Sequence, residues 1–221
     1  MLKLSECLTG DVLRVALVAN EDHLRFHEPP AEVLRGSLLT DMALLGRLTA
    51  DAQGSQVDTT PTGLGILDEM LNGVVEHPHR TMEWWLRLGR PHLHELIAEL
   101  LEEGCWLVER HGVTSTFTHY VDVEEDRIAG IRSGLQAVIA GGRQPANARE
   151  AALACLSSKV GSVPEPDKAR LEHLLPECGG VGWMVRNVID YEVAAREDDV
   201  AAGAADSRTT LAQFGGIGLH P

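Results

Sequence analysis

Leu34-Arg-Gly-Ser-Leu-Leu-Thr-Asp-Met-Ala-Leu-Leu-Gly-Arg-Leu48 is the stretch on which the fold turns. Leu34, Leu38, Met42 and Leu45 recur every three or four residues, as one face of a helix requires, and Leu39, Ala43, Leu44 and Leu48 widen that face. A helix apolar over so wide an arc belongs in the middle of a structure. Asp41 falls on the same face, so a buried or half-buried carboxylate is expected there, held by an arginine or by backbone N–H groups. Arg35 and Arg47 flank the helix.

Working outward, Pro29-Pro30 breaks the chain before this helix, behind an apolar segment over residues 8–18 and a polar stretch over 20–28. Residues 50–63 are rich in Asp, Thr, Gly, Ser and Pro and read as a loop or weak hairpin. Thr60 or Thr62 can cap a helix over 64–71. A helix over 80–88 turns Met82, Trp85 and Leu86 inward before Gly89 and Pro91 interrupt it. Leu93, Leu96, Ile97, Leu100 and Leu101 then mark a further helix that ends at Gly104. Residues 105–109 and 113–121 predict a β-hairpin turning at His111-Gly112. Asp122 is placed to cap a helix whose seam is Ile128, Ile131, Leu135 and Val138. Helices follow at about residues 146–160, 168–175 and 182–195. The prediction is one mainly α domain over residues 1–196 with one β-hairpin insert, and a disordered acidic, Ala/Gly-rich tail over 197–221.

The balance of 19 basic against 33 acidic residues gives a formal charge of −14. Such a field opposes general affinity for nucleic acid or anionic membrane, so any anion site must be local. The order of elements over residues 64–121 matches a winged helix, but the helix that would enter DNA carries Glu95, Glu99, Glu102 and Glu103 and no basic residue, so no nucleic-acid partner is expected. Cys7, Cys105, Cys155 and Cys178 form no C-x-x-C pair, which fits a reduced, cytoplasmic compartment. No apolar run reaches the roughly 20 residues of a membrane span, and residues 1–6 lack the regions of a signal peptide, so any membrane contact is peripheral. His77/His79 and His92/His94 invite a metal reading. The first pair surrounds Pro78, and a helix would point the second pair about 200° apart, so no metal is expected. There is no G-x-S-x-G element and no phosphate loop around Pro61-Thr62-Gly63, so neither an enzyme nor a cofactor is indicated.

The opening stretch, followed by Pro61-Thr-Gly63, Leu67-Asp-Glu-Met-Leu71, Trp85 and Leu101-Glu-Glu-Gly104, resembles the bacterial, actinobacterial-type branch of the Golgi phosphoprotein 3 family over about residues 1–195. The resemblance implies a helical bundle core wrapped by amphipathic helices with a protruding hairpin. Eukaryotic members of that family are peripheral membrane proteins that bind phosphatidylinositol 4-phosphate and link glycosyltransferase tails to vesicle coats. Carried over by position, their head-group pocket implies Arg35, Arg90 and Phe26 as ligand-binding residues converging on one site. Phe26 stands where those members have Trp, and Leu93 where they have a further Arg. The hairpin that enters the membrane in relatives would place Val113 and Phe117 against lipid. The resemblance thus implies a non-enzymatic protein at the inner face of the membrane, with an anionic phospholipid head group as partner. An adaptor for basic cytosolic tails of membrane enzymes is the alternative.

Overall fold

The computed structural model describes residues 1–20, 23–26, 29–51, 54–109, 119–160 and 163–191. The opening stretch forms α2 (Ala31–Leu44), in which every residue from Val33 to Met42 is buried. Helix α1 (Leu8–Ala16) is buried along its whole length and packs on α2. At Gly36 the backbone of α2 meets Val188 of a C-terminal helix, α9 (182–191), so closely that a β-carbon would collide with both methyl groups. Only glycine permits that approach.

Asp41 is buried as its position on the apolar face requires, and its partners are backbone rather than arginine. One oxygen accepts the Leu8 N–H at 2.7 Å. The other accepts the Thr9 N–H at 2.9 Å and the Thr9 hydroxyl at 2.7 Å. Cys7 at the α1 N-cap provides no side-chain cap, so α2 caps α1 from 33 residues away.

The mainly α expectation holds, but the described residues contain three antiparallel hairpins rather than one. They are β1 (Leu17–Asn20) with β2 (His23–Phe26), β3 (Leu48–Asp51) with β4 (Gly54–Val57), and β5 (Trp106–Glu109) with β6 (His119–Asp122). The first was hidden because β1 prolongs the apolar run of α1 without a breaker, while β2 is a four-residue piece of the mostly polar stretch 20–28. The turn of the third hairpin, with Val113 and Phe117, lies outside the described residues, as does the segment 197–221.

Between the second and third hairpins run α3 (Gly65–Glu76), α4 (Met82–Leu88) and α5 (Leu93–Glu102). Thr81 caps α4, and Gly104 closes α5 with a φ of +72°. Asp122 does not cap the next helix, α6 (Glu125–Ile139), whose N-cap is Glu124. Asp122 is instead fully buried, accepting Arg14 Nε at 2.8 Å and Trp106 Nε1 at 2.9 Å. Helices α7 (Ala148–Ser157) and α8 (Lys168–Glu177), capped by Asn147 and Asp167, pack together and complete the core with α9. The four cysteines are free thiols. Among the described residues, no helix is long and apolar enough to cross a membrane.

Candidate ligand-binding site

The second residue of the Leu-Arg-Gly element sits where α2 passes the end of α4 and the start of α5. Arg35 is 7% exposed, and its Nη1 donates to the carbonyls of Leu86 at 2.6 Å and Arg87 at 2.8 Å. These are last-turn carbonyls of α4, which lack intrahelical donors and lie at the negative end of the helix dipole. The Arg35 Nε is buried and, among the described residues, has no hydrogen-bond partner. Burial pushes this guanidinium below its ordinary value, with Glu32 and Tyr191 opposing the shift from a distance. Among the described residues, no carboxylate forms an ion pair with it.

Arg35 lines a cavity of about 660 Å³ whose other walls include Leu34, Pro91, His92, His94 and Tyr120. Ile97, Ala98 and Leu101 form its apolar floor along α5. A desolvated guanidinium with one edge spent on carbonyls, beside a helix N-terminus, is suited to an anion of phosphate type.

Arg90 stands on the other side of Pro91. Its side chain is 65% exposed and donates to Glu95 at 3.1 Å. The other Glu95 oxygen accepts the His92 N–H in a capping box, which holds Arg90 over a neighbouring cavity of about 690 Å³. The two arginines therefore flank Pro91 instead of converging in one cavity. Leu93 lines the Arg35 cavity, and Phe26 ends β2 opposite Leu17 in the ladder.

Sequence reasoning weighed His92 and His94 only as metal ligands and expected a helix to point them apart. His92 is the N-cap, in extended backbone (φ −93°, ψ 161°), so only His94 is helical and the two side chains are not splayed. Their rings stack with centroids 5.9 Å apart and planes within 14°, and both line the Arg35 cavity. The signal was Glu95 three residues after His92, which is capping-box spacing immediately behind a proline. His77 and His79 meet edge to face with centroids 6.0 Å apart. Among the described residues, no group of three or more His, Cys, Asp or Glu is placed to hold a metal ion.

The model of the family described as Golgi phosphoprotein 3 (GPP34) matches residues 8–191. No curated protein matches the chain significantly.

Proposed function

Because this chain belongs to the Golgi phosphoprotein 3 family, we propose that it is a peripheral membrane protein that binds an anionic lipid head group, of phosphatidylinositol 4-phosphate type, in the cavity at Arg35. The observation that carries this reading is a buried guanidinium with no carboxylate partner among the described residues, lining a cavity at the first turn of α5. In a chain of charge −14 such a site is where an anion finds attraction. Arg90, on the far side of Pro91, adds attraction at longer range. The protein would act at the cytoplasmic face, without catalysis, with Phe26 beside the head group and Val113 and Phe117 touching lipid.

Cosedimentation with phosphatidylcholine vesicles, with and without anionic lipid, tests this directly. Binding should require the anionic component, and the Arg35→Ala, Arg90→Ala double variant should weaken it by well over tenfold, since each charge-assisted hydrogen bond contributes roughly 1.5–3 kcal/mol. Arg35→Lys and circular dichroism separate lost binding from lost folding, because Arg35 also holds α4. Two apolar side chains in the hairpin supply roughly 1.5–3 kcal/mol each, short of the 8 or so that micromolar affinity needs. Binding should therefore largely disappear near 1 M salt, where the Debye length is about 3 Å, and fall further in Phe117→Ser. Survival at that salt concentration would assign attachment to hydrophobic insertion.

A second reading, an adaptor for basic tails of membrane enzymes, is favoured by the cavity beside Arg90. The exposed carboxylates of Glu69 and Glu76 line it together with Trp84 and Leu88. That role requires no lipid dependence. It predicts capture of a Lys/Arg-rich peptide that Glu69→Gln and Glu76→Gln together abolish.

A further inference from the structure

We propose that His92 and His94 are ligand-contacting residues of the Arg35 cavity, and that they make anion binding there tighten as pH falls through the neutral range. The inference rests on the head-group reading above and adds its regulation.

Both imidazoles are exposed at the cavity mouth, stacked 5.9 Å apart at the first turn of a ten-residue helix. The Leu93 and His94 N–H groups lie ahead of the first helical bond, in which the Glu95 N–H donates to the His92 carbonyl at 3.0 Å, and the helix dipole places partial positive charge there. Arg35 lines the same cavity from α2, its Nη1 held by the Leu86 and Arg87 carbonyls. Two independent elements, a guanidinium and a helix N-terminus, thus bring positive charge to one space.

The charge inventory gives the direction. The titratable groups lining the cavity are Arg35 from α2, Tyr120 from β6, and the two imidazoles from α5. Among the described residues no Asp or Glu lines the cavity, and Glu32 on α2 acts on Arg35 from a distance. Glu95, the nearest acidic residue on α5, is engaged by the His92 N–H and by Arg90. Imidazole is the side chain that changes charge between pH 5 and 8, and on protonation it becomes a donor at both nitrogens. Protons added here are not compensated by a carboxylate in the wall. Two imidazolium rings stacked on each other repel, and an anion seated against both relieves that repulsion. Anion binding and proton uptake therefore favour each other, as linkage requires.

The test uses the full chain and vesicles of phosphatidylcholine containing either phosphatidylglycerol or phosphatidylinositol 4-phosphate, titrated at about pH 8, 7 and 6 at constant ionic strength. A phosphodiester does not change charge over this range, so the phosphatidylglycerol arm reports the protein, whereas the monoester arm also carries the lipid's own titration. Affinity for phosphatidylglycerol vesicles should rise about tenfold from pH 8 to pH 6, the scale of one added charge-assisted contact. In the His92→Gln, His94→Gln double variant the rise should shrink to about twofold or less. In that variant Glu95 still accepts the N–H of position 92, and circular dichroism checks that the helix is kept. Equal pH slopes in wild type and variant would overturn the role of the histidines and leave the Arg35 site standing. Absence of Arg35-dependent binding at every pH would overturn both.

Discussion

Arg14 and Arg35 are both buried arginines, and their surroundings are opposite. Arg14, on α1, is completely enclosed and meets Asp122 at 2.8 Å, the Ser5 carbonyl at 2.6 Å, and Asp11 and Glu124 at 3.5 Å each. Arg127 and Arg149 pair with the outer members of that group, so charge is balanced throughout. Among the described residues Arg35 has two carbonyls, one orphaned nitrogen and no carboxylate. A guanidinium neutralised by acids ties elements together, whereas one held only by dipoles keeps its charge for something else to answer.

The contrast can be broken first at Arg14. Arg14→Met strands the Asp122 carboxylate in the interior and should cost about 3–5 kcal/mol in chemical denaturation. A loss under about 1 kcal/mol would mean that the network is not holding the hairpin to α1.

Asp41 sharpens the comparison from the acidic side, since among the described residues it has N–H and hydroxyl donors but no ion pair. Burial raises its carboxyl to about 6, against the opposing pull of Thr9, Leu8 and Arg149. The ordinary value in an unfolded chain is about 3.9, so between about pH 4 and 6 the folded state holds the extra proton. Stability from this group is therefore present at low pH and lost as pH rises through about 6, at roughly 1.4 kcal/mol per pH unit. Urea midpoints at several pH values should show wild type gaining about 2 kcal/mol on Asp41→Asn between about pH 7 and 4.5. A gap that shrinks with acid would reverse the sign.

Arg35→Met should cost less than Arg14→Met, about 1–3 kcal/mol, because it strands carbonyls rather than an ion. The smallest change is Arg90→Ala. It removes one surface pair with Glu95, costs about 0–1 kcal/mol in thermal melts, and weakens vesicle binding less than the Arg35 change does.

What the sequence made legible follows from the range of the interactions involved. The face of α2, the burial of Asp41, the break at Pro91 and the glycine end of α5 are local patterns, and each stands where periodicity and turn chemistry put it. Asp122 looked like a cap because an acid before a helix usually is one. It does accept the N–H of the N-cap residue Glu124 at 2.8 Å, but its charged partner, Arg14, lies 108 residues away, and no local spacing encodes that pairing. The histidine pair was misjudged by a single residue of helix boundary, which converted an N-cap into a helical position. Arg35 was visible as a flanking arginine. That its Nε lacks a partner depends on three elements meeting.

The cap that α2 lends to α1 also bears on hydrogen exchange. First-turn amides of a helix ordinarily fray, because no carbonyl within the helix accepts them. Here the Leu8 and Thr9 amides are held by Asp41, 33 and 32 residues further along the chain. They can be released only when α1 and α2 separate, so they should exchange with the slow, denaturant-sensitive rate of the whole core. The start of α1 thus reports on the cooperativity of the entire fold.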